Sequence, residues 1–238
     1  MKIDLHTHTI SSGHAFSTIE ENARVASEKG IELLGISDHG PAMKGSPTTN
    51  YFNCIDRVPK IINGVRVLFG IEANIINKKG KLDLPDSILD KLDFVATGFH
   101  GGCGYVNRGI KKNTETLIEA MKNPYVKIVV HPYSDKMDVD IEKITLASVE
   151  YNVLLEINAS SFFLDKIEDE ELWDRIKTMV KILKDNNRKM IIGSDAHHSS
   201  EVGKFDEVIE KFEELGITED DVLNNDVEGV LEFLGVEK

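Results

Sequence analysis

The sequence predicts an α/β protein whose strands form a closed or nearly closed barrel in a single domain over residues 1–238. Apolar, strand-like runs begin near residues 3, 33, 65, 93, 126, 152 and 190, and helical patterns fill most of the intervals between them. Strands that alternate with helices form a parallel sheet with right-handed crossovers. No linker or low-complexity stretch divides the 238 residues, and this length suits one α/β barrel.

Several helices can be placed from local signals. The first should begin at the capping box Ser17-Thr18-Ile19-Glu20 and end near Gly30. The sixth connection carries one apolar helical face, formed by Leu172, Ile176, Met179, Val180 and Leu183. From about Ser200 onward, the chain should form helices that cover the closing side of the barrel.

Charge, the length of apolar runs, the position of the first strand and cysteine content argue against several classes of protein. The formal net charge of −13 argues against a surface that coats nucleic acid, which needs clustered Lys and Arg, and favours a small substrate. No run approaches the roughly 20 continuous apolar residues of a membrane span. The first strand begins at Ile3, which leaves no room for a signal peptide. Because Cys54 and Cys103 fit a reducing compartment, we expect a cytoplasmic protein without a membrane partner.

Potential metal ligands follow nearly every predicted strand. Seven histidines lie at or just beyond strand ends, and two carboxylates join them. The set is His6, His8, His14, His39, Glu72, His100, His131, Asp195 and His197. Neutral imidazole and carboxylate bind zinc, manganese and iron. Nine such residues at one rim are too many for a single ion, so the sequence predicts a multinuclear metal centre.

Side-chain parity supports this prediction, because residues two apart on a strand face the same way. Glu72 lies opposite to an apolar stripe formed by Val65, Val67, Phe69 and Ile71. By the same rule, His6 and His8 share one face of the first strand, and Ile3 and Leu5 should lie on the other. The ligands then converge at the carboxyl-terminal rim, where barrels of this type place their active sites.

Other polar residues near the ligands are assigned supporting roles. Asp4 and Asp38 are expected to orient imidazoles rather than to bind metal. Glu156, on the sixth strand, is interpreted as a hydrogen-bonded interior carboxylate, with a tenth ligand as the alternative. His198 is expected to be exposed or to support the ligands from behind.

The strand-end motifs occur in a characteristic order. They are Asp4-Leu5-His6-Thr7-His8-Thr9, Ser37-Asp38-His39-Gly40, Gly70-Ile71-Glu72-Ala73-Asn74, Gly98-Phe99-His100, Val130-His131-Pro132 and Gly193-Ser194-Asp195-Ala196-His197. In type, order and spacing they resemble the PHP superfamily (polymerase and histidinol phosphatase) over nearly the whole chain. The segment from Leu155 to Phe162 is similar to the YcdX-like branch of small stand-alone hydrolases. The resemblance implies a distorted (β/α)7, TIM-like barrel that binds three metal ions.

The resemblance also implies a ligand set for each ion. The first ion would bind His6, His8, Glu72 and Asp195, the second Glu72, His100 and His131, and the third His14, His39 and His197. Glu72 would bridge the first two ions. Zinc is the first choice of metal, with manganese and iron as alternatives. Asn158 matches the family branch, whereas Ala159 departs from the expected Asn-Asn pair.

Such a centre suits phosphate chemistry. Three divalent ions, two carboxylates and a hydroxide leave a formal charge of roughly +3, which matches a phosphate monoester dianion. Metal binding lowers the pKa of water towards roughly 7, so a hydroxide bridging the first two ions is the expected nucleophile. Glu72 and Asp195 are the expected catalytic residues, because Asp195 would orient the hydroxide or move a proton. Arg108 and Asn158 are candidates for substrate contacts.

Two other functions stay open at this stage. An amidohydrolase or deaminase also uses a His-x-His barrel, although such enzymes usually need fewer metals, an eighth strand and often a bridging lysine. A non-catalytic metal-binding PHP module is the second alternative, and the intact ligand set argues against it. For a phosphatase, histidinol phosphate, a nucleotide, a sugar phosphate and a phosphodiester are all open as substrates.

Overall fold

The computed structural model, which describes residues 1–134, 137–163 and 170–237, confirms the α/β barrel. Seven parallel strands pair in chain order, and one short strand pairs with the third of them in antiparallel fashion. The strands are β1 (Ile3–Thr7), β2 (Leu33–Ile36), β3 (Ile61–Ile62), β4 (Val65–Asn74), β5 (Phe94–Gly98), β6 (Val126–Val129), β7 (Leu154–Asn158) and β8 (Ile191–Gly193). The first and last strands meet where the His8 amide donates to the Ala196 carbonyl at 2.8 Å. This contact joins the two edges of the sheet into a nearly closed barrel.

Helices of unequal length surround the strands. They are α1 (Ile19–Glu28), α2 (Thr49–Asn53), α3 (Asp86–Leu89), α4 (Ile110–Met121), α5 (Ile141–Tyr151), α6 (Ser160–Phe163), α7 (Glu170–Asp185), α8 (Asp206–Ile209), α9 (Phe212–Leu215) and α10 (Val227–Leu234). The connections after β2 and β4 contain only short helices, which accounts for the distorted barrel. Within the described ranges, no helix is both long and apolar enough to cross a bilayer.

The helix signals in the sequence are largely confirmed. Helix α1 has a capping box, but Thr18 and Glu21 form it, one residue later than predicted. Gly30 follows the end of α1 with a left-handed φ of 75°. The predicted face of α7 is buried at Ile176, Met179, Val180 and Leu183, and Leu172 is half-buried beside the cavity described below.

Two apolar layers separate the barrel interior from its surface. The outer layer packs the stripe of Val65, Val67, Phe69 and Ile71 against the helices, as the parity of β4 predicts. The inner layer contains Leu68, Phe94, Ala96, Ile128, Leu154 and Ile191, and α10 covers it through Val230, Leu231 and Leu234. The C-terminal helix therefore seals the amino-terminal end of the barrel and leaves the opposite rim for polar side chains.

The parity prediction for β1 is wrong at Ile3 and Leu5. Both side chains belong to the inner apolar layer, on the same side as the histidines that follow. The register explains the difference, because Asp4 pairs with Leu34 whereas Thr7 pairs with Ile36, so β1 contains one extra residue. Such a bulge re-aims the side chains beyond it. It allows Leu5 to fill the core while His6 and His8 still point to the rim.

Candidate metal centre

The predicted ligands converge at the carboxyl-terminal end of the barrel, around a cavity of about 660 Å³. Seven of the nine line this cavity, namely His14, His39, Glu72, His100, His131, Asp195 and His197. The other two, His6 and His8, are almost completely buried next to them. The structure thus brings together all nine residues that the sequence singled out.

Glu72 lies at the middle of the cluster and contacts five imidazoles. Its two carboxylate oxygens face different groups. Oε2 lies 3.5 Å from His6 Nε2, 3.4 Å from His8 Nε2 and 2.8 Å from His39 Nδ1, and Oε1 lies 2.8 Å from His100 Nε2 and 3.0 Å from His131 Nε2. A carboxylate with one oxygen in each of two imidazole groups has the geometry of a bridging ligand.

Four atoms at the base of the cavity have the spacing of a tetrahedral metal site. His6 Nε2 and His8 Nε2 lie 3.4 and 3.3 Å from Asp195 Oδ1, and 3.5 and 3.4 Å from Glu72 Oε2. Ligands of a tetrahedral zinc ion with bonds of about 2.0–2.1 Å are about 3.3 Å apart. Both Nε2 atoms and Oε2 are buried without a hydrogen-bond partner. These residues therefore fit a divalent ion.

The hydrogen bonds behind His6 and His8 leave their Nε2 atoms free as ligands. His6 Nδ1 lies 2.6 Å from Glu156 Oε1, and a carboxylate there requires an N–H on Nδ1. His8 Nδ1 lies 3.1 Å from Ser12 Oγ, whose hydroxyl donates to Asp38 at 2.7 Å. Because the serine proton is used, His8 must donate through Nδ1.

The predicted roles of the supporting carboxylates need correction. Asp38 reaches His8 only through Ser12 and also accepts from the Thr9 amide. Asp4 contacts no imidazole and instead accepts from backbone amides, among them those of Ser194 and Gly203. The carboxylate that orients an imidazole directly is Glu156, which agrees with its interpretation as an interior group. His198 is exposed, as expected.

His14 and His197 form a second, more exposed group. Their Nε2 atoms are 3.0 Å apart. His14 Nδ1 lies 3.0 Å from the Ser12 carbonyl, and His197 Nδ1 lies 2.9 Å from the Asp195 carbonyl. Carbonyl oxygens only accept, so each Nδ1 carries a proton and each Nε2 is the ring atom that can present a lone pair to a cation. A cation beside the two Nε2 atoms could bind both rings.

The ligand set of the third ion is less sharply defined than the ligand set of the first ion. The ring of His39 stacks on His14 at 5.1 Å between centroids, yet its Nδ1 also contacts Glu72. Ligand atoms of His8, His39 and His197 lie close enough to hold one ion, as do those of His39, Glu72 and His100. The set of His14, His39 and His197 stays a prediction.

The carboxylates at the centre are held in the ionised state. Burial would raise the pKa of Glu72, but the imidazoles of His100 and His39 outweigh it and hold that pKa well below its usual range. The pKa of Asp195 is likewise lowered, because His6 and His8 outweigh the effect of burial. Both residues are therefore negatively charged at neutral pH, which is the state that binds metal.

Four histidines of the centre fall into two classes by the direction of their pKa shift. Burial lowers the pKa values of His8 and His39 to about 4. Burial also opposes protonation of His6, but Glu156 and Asp195 outweigh it and raise its pKa well above 6.5. The pKa of His131 is raised as well, because its contact with Glu72 outweighs burial.

Metal binding at neutral pH should therefore release protons. In the metal-free protein, the raised pKa values of His6 and His131 favour protonated rings whose proton a metal must displace, whereas the lowered pKa values of His8 and His39 favour neutral rings. Zinc affinity should rise with pH through the raised pKa values. Calorimetric titration at pH 7 in buffers of different ionisation enthalpy measures the released protons. A binding heat that does not depend on the buffer would contradict this expectation.

The two predicted substrate contacts differ in position. Asn158 lines the cavity, but its amide N–H groups lie 3.1 Å from Glu156 and 3.2 Å from Asp195. Arg108 is exposed and does not line the cavity. Sequence reasoning did not identify Ser12 or Ser160, and Ser160 Oγ donates to Asn158 Oδ1 at 2.6 Å. Serines are common in turns and at helix ends, so neither residue carries a sequence signal that would distinguish it.

A parallel barrel with clustered His, Glu and Asp residues at its carboxyl-terminal rim defines a class of metal-dependent barrel proteins. The chain belongs within it to the PHP domain family, whose profile matches residues 4–214. It is 45% identical over 236 residues to a probable phosphatase of Thermoanaerobacter sp. (strain X514), covering 99% of this chain and 95% of that protein.

Further comparisons agree with this family. The chain is 39% identical over 233 residues to a probable phosphatase of Clostridium botulinum (strain Okra / Type B1), covering 98% of this chain and 93% of the relative. Among solved structures, it resembles a histidinol phosphate phosphatase from Lactococcus lactis complexed with zinc, L-histidinol and phosphate. That match has a TM-score of 0.63 and 15% identity, and covers 91% of this chain and 94% of the other. At this identity the likeness concerns the fold.

Proposed function

We propose that the protein is a metal-dependent phosphatase that hydrolyses a small phosphate monoester at a centre of three divalent ions, with zinc as the first choice. The observation that carries this proposal is Glu72, whose two oxygens face separate imidazole groups. The names of the relatives, probable phosphatases aligned over almost their whole length, support the same class of reaction.

The charge of the centre favours a phosphate dianion. Bound divalent ions would outweigh the two ionised carboxylates, Glu72 and Asp195, so an anion is needed to balance the site. The ions would supply hydroxide at neutral pH and neutralise the phosphate oxygens. Among the described residues that line the cavity there is no Lys or Arg. The phosphate would therefore depend on the metal centre and on polar groups such as Ser160 and Ser161.

The residues around the first site have distinct tasks. Glu72 would hold two ions at a fixed separation. Asp195 turns Oδ1 towards His6 and His8, while Asn158 donates to its Oδ2 at 3.2 Å and Ser160 Oγ lies at the same distance from Oδ2. Because these contacts hold Oδ2, Oδ1 keeps its position beside His6 and His8 at the proposed first metal site. There it can orient the nucleophile or accept its proton.

The walls of the cavity suit the leaving group of a small molecule. Met43, Phe99 and Leu172 contribute apolar surface, and the volume of about 660 Å³ lies in the range of small-molecule sites. Both cysteines, Cys54 and Cys103, are free thiols, which agrees with the proposed cytoplasmic location.

The alternatives are less well supported. A barrel amidohydrolase often bridges its metals with a lysine, whereas Glu72 would occupy the bridging position here and the described cavity lining contains no lysine. A non-catalytic module would not require the open cavity beside the ligands.

The reconstituted protein should release phosphate from an aryl phosphate, and a chelator should abolish that activity because the nucleophile and the phosphate both depend on the ions. Inorganic phosphate should inhibit competitively. A phosphate-release assay over a panel of metabolites, with zinc, manganese or iron added back, measures both effects. Hydrolysis of amides or deamination of bases, with every phosphoester left intact, would instead support the amidohydrolase alternative.

A further inference from the structure

We propose that Glu156 and Asn158 of β7 are positioning residues that hold three of the predicted ligands and thereby couple the first and second metal sites. Strand β7 supplies none of the nine predicted ligands, yet both side chains are almost completely buried next to the centre. The inference rests on the proposed function for the identity of the ligands. It concerns how this chain fixes their orientation.

Glu156 accepts from three donors with its two oxygens. Oε1 lies 2.6 Å from His6 Nδ1. Oε2 accepts from the His131 backbone amide at 2.9 Å and from Asn158 Nδ2 at 3.1 Å. One carboxylate therefore orients the ring of a ligand in the first site and the backbone of a ligand in the second. An ionised carboxylate is the only side chain that accepts at both ends.

Two of the predicted ligands have backbone conformations that require such support. His131 has a φ of 33° and Asp195 a φ of 55°, in the left-handed region that non-glycine residues adopt only when their surroundings impose it. Glu156 holds the amide of His131, and Asn158 holds the carboxylate of Asp195. Both unusual residues are thus tied to the same pair on β7.

The amide of Asn158 separates two carboxylates. Its Nδ2 donates to Glu156 Oε2 at 3.1 Å and to Asp195 Oδ2 at 3.2 Å, and its Oδ1 accepts from Ser160 at 2.6 Å. An apolar or acidic residue here would leave the two acids facing each other without a donor. Its hydrogen bonds make Asn158 a support for Asp195.

Glu156→Gln tests the pair with little change in shape. Glutamine has one acceptor oxygen, so its NH2 group must face either His6 Nδ1 or the donors of His131 and Asn158. The first arrangement would shift the His6 proton to Nε2, and the second would release His131. Substitutions of residues that hydrogen-bond to metal ligands typically weaken metal binding by roughly 10- to 100-fold. We expect that loss for the first and second ions, with the group of His14 and His197 still able to bind.

Zinc titration of the variant and of the wild type measures the loss. A second readout is the imidazole 15N spectrum, which in the zinc-loaded wild type should show His6 protonated on Nδ1 and bound through Nε2. Asn224→Asp is the matched control. Asn224 is also buried, bonds to the backbone of Ile3 and Ile192 at distances of 2.8–2.9 Å, and contacts no predicted ligand. It should cost stability and leave zinc affinity unchanged.

Asn158→Leu keeps the test decisive if Glu156→Gln does not fold. It removes the donor to Asp195 and should weaken the first ion more than the second. Wild-type zinc affinity in folded Glu156→Gln would overturn the inference. Wild-type zinc affinity in Asn158→Leu, found together with a His6 that is not protonated on Nδ1, would overturn it as well. A wild-type protein that binds no metal would instead overturn the proposed function. A loaded, active wild type with unaffected variants would overturn the positioning role alone.

Discussion

Replacing Glu72 by glutamine should remove two of the three proposed ions and lower turnover by orders of magnitude. Each oxygen of Glu72 faces a different imidazole group, so the change removes one negative charge between two cations. Unit charges about 4 Å apart attract by about 4 kcal/mol at an effective dielectric constant near 20, which already corresponds to roughly a thousandfold in affinity. The group of His14 and His197 does not use Glu72 and should still bind.

Elemental analysis and an aryl phosphate assay test this expectation. The reconstituted wild type should contain close to three ions per chain, and the variant about one. Its fold should survive, because the outer stripe of Val65, Val67, Phe69 and Ile71 is unchanged. Glu21→Gln is the matched control, because Glu21 caps α1 away from the centre. Full occupancy and near-normal turnover in the Glu72 variant would mean that Glu72 is not the bridge.

The strands and the residues that cluster at their ends could be predicted from the sequence for a physical reason. Parallel barrel strands are short apolar runs, and their ends lie at one rim, so a ligand type at each end implies convergence. The parity rule then correctly predicted which side chains of β4 face outward, because β4 pairs with its neighbours without interruption on either side of Glu72. It failed on β1, because an extra residue between Asp4 and Thr7 shows only in the pairing with β2.

Finer features of the centre depend on contacts between distant parts of the chain. Asp38 and Asp4 were plausible supports for imidazoles, but Asp38 acts through Ser12 and Asp4 binds backbone amides. Glu156 reaches His6 across 150 positions of sequence. The motifs show which residue types are present, whereas the direction of each hydrogen bond is set by the closure of the barrel.

Replacing Gly193 by alanine should disrupt the first metal site and destabilise the fold. An alanine Cβ would lie 2.1 Å from Glu156 Oε1 and 2.6 Å from His6 Cβ. Glycine-to-alanine changes can stabilise by about 0.4–1 kcal/mol through the unfolded chain, but overpacking a core costs about 1–3 kcal/mol. The clash should prevail, because Glu156 is buried and bound to His6. Urea unfolding and zinc titration should show a lower midpoint and weaker binding.

Gly229→Ala separates this effect from a simple contact with a carboxylate. Its Cβ would lie 2.3 Å from Asp226 Oδ2, a similar clash, but Asp226 caps α10 at the other end of the barrel and is exposed. That side chain can rotate into solvent at the cost of a cap, about 1 kcal/mol, and all ions should remain bound. Equal zinc affinity in the two variants would show that Glu156 can move without releasing His6. The close packing of Glu156 and His6 against Gly193 would then have no role in metal binding.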